Sequence, residues 1–260
     1  MVIIDTSKQF THLSRAPIVE AVIEIRSNKE RPLDEQTTSE LIKNRIPDYP
    51  YVESQRGYQH SFSVGPNQPP HQEYADLGFK GFRLISADKL QIAVFGKENY
   101  SFSRLFPYEN WSLFSTESLR MWALYKELSG PGEIGRLGVR FINKIPLPHG
   151  DLRFGDYLEM PPSTPRGLEL PFTGFFHQDT MVVPDYGYLI NFIQTIQPSP
   201  DGLLHLILDI DVFIEKTIID NNDNLMKHLE EMKFLKNSVF FNSITAKHWS
   251  YVNDSIRLCG

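Results

Sequence analysis

Cysteine is nearly absent from this chain of 260 residues, since Cys259, next to the last residue, is the single example. A disulfide framework within the chain is therefore excluded, and so is a zinc centre built on several cysteines. Because chain ends tend to fray, we expect Cys259 to be a poor candidate for a catalytic nucleophile.

Long apolar runs are absent as well. No stretch approaches the about 20 consecutive apolar residues that a transmembrane helix needs. The opening residues 1–8 have neither the basic flank nor the apolar run of a secretory signal. The sequence therefore predicts a cytoplasmic protein that does not enter a membrane.

Familiar catalytic motifs are also missing. The eight histidines show no His-Glu-x-x-His spacing, and the chain has no Walker A loop, no Gly-x-Gly-x-x-Gly after a strand and no Gly-x-Ser-x-Gly elbow. An enzyme is therefore the less favoured class, although it is not excluded. The sequence indicates no cofactor.

Charge of one sign does not dominate the composition. The chain has 26 basic and 32 acidic residues, a net charge of -6 and a pI near 5.8. This balance gives no general attraction for nucleic acid, which makes a nucleic-acid partner the less favoured class. The hydrophobic fraction of 41% is that of an ordinary globular protein, and the aromatic fraction of 12% favours a sheet-rich core.

The chain is organised around residues 135–148, near its middle. Successive side chains alternate in character there, which predicts a strand whose two faces differ. One face is mostly apolar and includes Phe141 and Asn143, whereas the other carries Arg140 and Lys144 around an aliphatic residue. Two prolines then end the strand, because proline has no N–H to donate.

The chain before this strand and the chain after it show the same order of elements. The first part predicts a strand at 17–26, a helix at 34–46, three strands and a helix at 110–129. The second part predicts the central strand, a short amphipathic segment at 151–158, three strands and a long, interrupted helix from 222 or 223. The remaining predicted elements are strands at 59–64, 81–85, 90–95, 172–183, 188–197 and 203–217 and a short helix at 247–252.

This order predicts an α+β fold made of two similar halves, residues 1–131 and residues 132–260, within one compact unit. Their antiparallel sheets would join or face each other, with helices covering one side. A saddle-like sheet with pseudo-twofold symmetry, similar to that of the TATA-binding protein, is one such arrangement. This analogy concerns the fold and implies no function.

Two stretches resemble the motifs of a bacterial protein family. Residues 13–26 are similar to its opening signature, Pro-Ile-x-Glu-Ala-Val-x-Glu-Ile-Arg, and residues 138–145 to its central Gly-x-Arg-aromatic-Ile-Asn motif. Residues 208–213 and 241–245 also look similar. The family is sporadically distributed and has no assigned activity. Its patchy distribution implies transfer on mobile elements, and hence a part in toxin–antitoxin or phage-defence systems.

The most prominent charged residues lie on the two strands of these motifs. Glu20 and Glu24 share a face of the first strand, as Arg140 and Lys144 do in the central strand. If the strands pair antiparallel, cross-strand ion pairs are the favoured interpretation. The alternative is a polar binding site in which Arg140 binds a carboxylate or phosphate. The binding candidates are therefore Glu20, Glu24, Arg140, Lys144 and the motif residue Asn143.

Two aspartates, Asp209 and Asp211, share one face of a strand whose other face is apolar. Two carboxylates at this spacing can bind a divalent cation, as a metal-dependent nuclease requires. An antiparallel strand with one solvated face has the same pattern, and the sequence places no third acidic ligand. We favour the interpretation that the two aspartates belong to the solvated face of a strand and bind no metal ion.

Three functions follow, in order of preference. The first is a non-enzymatic protein-binding component of a bacterial toxin–antitoxin or phage-defence locus, which binds the product of a neighbouring gene or a second copy of itself. The second is a metal-dependent hydrolase or nuclease that uses Asp209 and Asp211. The third is a small-ligand sensor with a pocket between sheet and helices, anchored by Arg140.

Overall fold

A computed structural model describes residues 2–11, 13, 16–28, 31, 33–65, 68–130, 132–148, 152–168, 170–199 and 202–245. The described chain forms nine strands, three α-helices and one short 3-10 helix at Phe154–Asp156. In chain order the elements are β1 (Ile18–Ser27), α1 (Glu35–Arg45), β2 (Tyr51–Gly65), β3 (Gln68–Ile85), β4 (Gln91–Gly96), β5 (Asn99–Leu105), α2 (Trp111–Ser129), β6 (Ile134–Pro146), β7 (Phe176–Val183), β8 (Tyr188–Pro198), β9 (Leu204–Ile214) and α3 (Asn222–Ser243).

All nine strands belong to one antiparallel sheet, in the order β2-β3-β4-β5-β1-β6-β9-β8-β7. The middle strand, β1, pairs with β6, and Val22 lies opposite Arg140. Strands from residues 1–131 and from residues 132–260 therefore join in one sheet, and the predicted α+β class is confirmed. The similarity of the two halves and the saddle-like curvature stay predictions.

The helices begin at capping residues that the sequence supplies. The side chains of Asp34, Asn110 and Asn221 each accept a hydrogen bond from a first-turn backbone N–H, at 2.9, 2.9 and 2.8 Å. Helix α2 ends before Gly130, whose φ of 79° is strained for any other residue. The predicted interruption of α3 is wrong, because its buried stripe continues through Phe240 in one helix.

Helices α2 and α3 pack on one face of the sheet, and α1 lies beside α2. The Tyr100 hydroxyl of β5 donates to the Ser118 carbonyl of α2 at 2.6 Å. The rings of Phe102 and Phe114 lie 5.8 Å apart in the same interface. Within the described part of the chain no helix contacts the other face, which we call the uncovered face.

The region after α1 contains four strands, where the sequence predicted three. Strand β5 was not predicted, because its alternating Ser101 and Ser103 lie on the uncovered face and weaken the apolar pattern. Strands β2 and β3 are much longer than the strands predicted at 59–64 and 81–85, and residues 65 and 68–70, which lie between those predictions, belong to their ends.

Smaller differences concern the second half of the chain. An amphipathic segment was predicted at 151–158; of this segment, the described residues 152–158 form only the short 3-10 helix. The strand predicted at 172–183 starts four residues before β7 and ends with it. The strand predicted at 203–217 starts one residue before β9 and ends three residues after it. The helix predicted at 247–252 and Cys259 lie outside the described residues.

Candidate functional site

A chain of ion pairs crosses the centre of the uncovered face. The Arg136 guanidinium of β6 donates to Glu24 of β1 and, at 3.1 Å, to Asp211 of β9. Its plane lies 4.5 Å from the centre of the Phe213 ring, and only 10% of its side chain is exposed. Arg26, which lies directly opposite Arg136, donates to the same Glu24 at 2.8 Å. The shared carboxylate thus separates two like charges.

A second pair, between Arg140 and Asp209, lies beside this chain. The Arg140 Nε donates to one Asp209 carboxylate oxygen at 2.8 Å, and its Nη2 donates to the other. This two-point contact has the geometry of strong guanidinium–carboxylate recognition. Asp209 is buried and the Arg140 side chain is 48% exposed, so one end of the pair remains open to solvent.

The sequence prediction of ion pairs is right in kind and wrong in its partners. Glu24 pairs with Arg136, and Arg140 pairs with Asp209. Glu20 and Lys144 lie half-buried on the same face, where they make no ion pair with any described residue. The error has a structural cause, because β9 borders β6 and supplies the carboxylates, which the order of elements alone did not reveal.

The two aspartates of β9 are engaged by guanidinium groups. Asp209 binds Arg140, and Asp211 binds Arg136 at 3.1 Å. Burial raises the pKa of Asp211, and the two arginines oppose that rise. Among the described residues, no cluster of three or more His, Cys, Asp or Glu side chains is arranged to hold a metal ion. These contacts favour the structural interpretation of the pair.

Asn143 lies on the opposite, helix-covered face of β6, because strand residues alternate between faces. Its side-chain N–H donates to the Leu208 carbonyl at 3.0 Å. The same residue lines a cavity of about 300 Å³, which is partly open to solvent and is bordered by the sheet, the start of α2, α3 and the N-terminal segment. A cavity thus exists in the layer where a sensor pocket was predicted, but Arg140 lies on the other side of the sheet.

The wall of this cavity combines aromatic rings with charged groups. Its aromatic lining consists of Phe10, Tyr108, Trp111, Phe141, Phe234, Phe240 and Phe241. The Lys236 ammonium lies 3.7 Å from the centre of the Phe141 ring, a cation–π contact. Burial, together with the charge of the neighbouring Lys233, lowers the pKa of Lys236 to about 7.

Strands β2 and β3 extend beyond the rest of the sheet as a two-stranded ribbon. Strand β4 pairs with β3 at residues 81–85. Residues 57–65 and 68–78, which we call the hairpin arm, pair with each other and with no other described strand. The arm starts where Gly57 lies opposite Gly78. The pairing register between the two strands shifts directly after this pair.

The two faces of the hairpin arm differ in polarity. One face presents Tyr58, Phe62 and Val64 from β2 and Tyr74 from β3, each between 54% and 68% exposed. The rings of Tyr58 and Tyr74 stack at 5.4 Å. The same face also carries His60, Gln72 and Asp76, whereas the other face carries serine, glutamine, histidine and glutamate side chains and no aromatic ring. The arm is therefore amphipathic, and within the described chain no core covers its apolar face.

Three of these features were not found from the sequence. Arg136 lies two residues before Gly138 on the same strand face, so extending the alternation backwards would have found it. The alternation of residues 59–64 predicted a strand, but nothing in it shows that its apolar face has no covering layer. Lys236 gave no signal, since a lysine in a helix is normally solvated.

A scan against protein-family models gives no match, and a search of curated proteins finds no match either. Within the described residues, no helix is both long enough and apolar enough to cross a membrane.

Proposed function

We propose that the protein is a non-enzymatic protein-binding component and that the hairpin arm makes its main partner contact. The supporting observation is the exposed apolar face of the arm. Strands of one sheet normally turn their apolar face toward a core, as β1 does with Ile23 and Ile25. The arm turns the same kind of face to solvent, which is typical of an interaction surface.

The composition of this face fits a protein partner. Buried tyrosine and other aromatic side chains contribute strongly to protein–protein binding. Tyr58, Phe62 and Tyr74 are already ordered on paired strands, so burying them against a partner costs little backbone entropy. A two-stranded ribbon is also marginally stable alone in water, and a partner that covers one face would stabilise it.

A nucleic-acid partner is disfavoured by the pairing of the arginines on the uncovered face, although Lys144 on that face makes no ion pair with a described residue. Arg136 and Arg140 on the uncovered face are each neutralised by carboxylates, and so is Arg83, at 3.1 Å from Glu53. Phosphate binding needs cations that are free to release counterions. The partner we propose is therefore a protein with an apolar groove of low charge.

The biological setting of this proposal rests on the family resemblance. The motifs at residues 13–26 and 138–145 place the protein, as a proposal, in the cytoplasm of a bacterium and in a toxin–antitoxin or phage-defence locus. The natural first partner is the product of a neighbouring gene. The alternative of a metal-dependent hydrolase gains no support, because Asp209 and Asp211 are paired with arginines.

Co-expression with the neighbouring gene's product, followed by size-exclusion chromatography with light scattering, tests the proposal. We expect a stable complex for the unmodified chain and loss of the complex for the double variant Phe62→Ser and Tyr74→Ser. The matched control is Phe176→Ser and Val182→Ser, because β7 is the other edge strand and these side chains are 66% and 67% exposed.

Two outcomes would contradict the proposal. One is a lone monomer beside an unbound neighbouring product. The other is a complex that survives the arm substitutions. The chain alone could instead form a dimer that the arm variant disrupts and the control variant does not. In that case the partner bound by the arm is a second copy of the chain.

A further inference from the structure

The cavity on the helix-covered face is separate from the hairpin arm, and it has the size of a small-molecule site. Its volume of about 300 Å³ is at the lower end of the range of about 300–1,000 Å³ that is usual for ligand pockets. It lies where four parts of the chain meet: the N-terminal segment, the turn before α2, the centre of the sheet and α3.

The carboxylates of this cavity are already neutralised. Glu109 accepts a hydrogen bond from Arg104 at 2.8 Å. Glu230 accepts one from Lys233 at 2.9 Å and another from the Trp111 indole N–H. Neither carboxylate is therefore left for a further cation.

Two further cations line the cavity without a carboxylate. The Lys236 ammonium lies over the Phe141 ring at 3.7 Å, and the Lys8 ammonium lies 5.1 Å from the Phe10 ring. Neither forms an ion pair with any residue in the described part of the chain. Because Lys8 is exposed to solvent, the uncompensated charge inside the cavity is that of Lys236, and a bound anion would pair with it.

The remaining lining indicates the body of that anion. The Phe141 ring lies between two other aromatic rings, with its centre 5.4 Å from that of Tyr108 and 6.4 Å from that of Trp111. Flat apolar walls of this kind favour a planar group, which can pack edge to face against the rings. Asn143 and Asn110 add amide groups to the lining.

We propose that this cavity binds a small aromatic carboxylate, whose carboxylate pairs with Lys236 and whose ring packs against Phe141 and Trp111. The proposal does not depend on protein binding by the hairpin arm. A carboxylate in the cavity would favour the charged ammonium, so binding is expected to raise the pKa of Lys236, which burial lowers in the free chain.

Matched acids and amides test the charge requirement on the unmodified chain. The probes are benzoate, phenylacetate and indole-3-acetate, each compared with its neutral amide by thermal shift and isothermal titration calorimetry. We expect at least one acid to bind and to raise the melting temperature, with its amide at least tenfold weaker. Absence of binding by all three acids, or equal binding of acid and amide, would overturn the proposal.

A substitution then assigns the binding to the cavity. Lys236→Met removes the ammonium and keeps a long apolar side chain, and we expect it to weaken the acid at least tenfold. The control Lys97→Met changes an exposed lysine in the loop between β4 and β5 and should bind as the unmodified chain does. Unchanged acid affinity in a folded Lys236→Met variant, with folding checked by circular dichroism, would place the acid elsewhere and contradict the proposal.

Discussion

The centre of the sheet and the hairpin arm use the same kinds of side chain in opposite surroundings. At the centre, Tyr100 and Phe102 are at most 1% exposed beneath α2. In the arm, Phe62 and Tyr74 occupy equally regular strands and are 58% and 68% exposed. The same alternating pattern thus occurs in two settings. The apolar face at the centre of the sheet packs against helices of the chain, and the apolar face of the arm is exposed.

This difference teaches that strand amphipathicity and burial are separate properties. Aromatic rings at the centre stabilise the fold, because folding removes them from water. Rings in the arm lose little exposure on folding, so we expect their contribution to stability to be small. Substitutions at the two places should therefore separate folding from binding.

The largest effect is expected for Phe102→Ala at the centre of the sheet. The substitution removes a fully buried ring that packs against Phe114 at 5.8 Å. We expect the free energy of unfolding to fall by about 3–5 kcal/mol, as for other large-to-small changes in cores. Urea denaturation measures it, and a loss below about 1 kcal/mol would contradict the contrast with the arm.

The next effect concerns the ion pairs on the uncovered face, where burial differs within one strand. Arg136→Met removes a buried guanidinium and leaves the half-buried carboxylates of Glu24 and Asp211 without their main partner, and we expect a loss of about 3 kcal/mol. Arg140→Met breaks a pair whose cation is half exposed, and we expect a loss of about 1 kcal/mol or less. Urea denaturation measures both losses in the free energy of unfolding. Equal losses would show that the contribution of the two arginines to stability does not depend on their burial.

A pH-dependent effect is expected at Lys236, the cation of the buried aromatic layer. Its pKa is about 7 in the folded chain against an ordinary 10.5, so the unfolded chain binds more protons between these values. The free energy of unfolding attributable to this group therefore rises as the pH increases from about 7 to about 10.5. Glu109, Glu230, Lys233 and Lys8 are the charged groups of the same cavity.

The measurement compares Lys236→Met with the unmodified chain by urea denaturation at pH 7 and pH 9.5. We expect the variant to be the more stable chain at pH 7 and its advantage to shrink at the higher pH. The exposed control Lys97→Met should show no such trend. A constant difference between variant and unmodified chain would mean that Lys236 titrates normally.

The smallest effect on folding is expected for Phe62→Ser in the arm. Because the ring is 58% exposed and contacts no covering layer, the loss in free energy of unfolding should be below about 0.5 kcal/mol. Urea denaturation beside Phe102→Ala makes the comparison direct. A loss as large as that of Phe102→Ala would show that the arm belongs to the folding core.

The sequence predicted the elements whose signals are local. Asp34 and Asn110 marked helix starts, and residues 135–146 were recognised as a strand because their two faces differ in polarity. The partners across the sheet were not predictable, because a strand's face shows that it is polar without showing which strand lies beside it. Arg140 was therefore assigned to Glu20 and Glu24 although Asp209 binds it.

Placement of the candidate sites failed for a related reason. The alternation of residues 59–64 showed which side chains share a face, whereas Lys236 gave no signal in the sequence. Whether a face is covered, or a lysine buried, depends on how distant segments pack. This packing can be read only from the folded chain.

Hydrogen–deuterium exchange of the free chain and of its complex with the partner protein tests the role of the arm most directly. In the free chain we expect the amides of residues 57–65 and 71–78 to exchange faster than those of β1 and β6, because the arm pairs with no other described strand. In the complex, strong protection of these arm amides is the predicted result. Protection confined to the uncovered face or to α3, with the arm unchanged, would contradict the account.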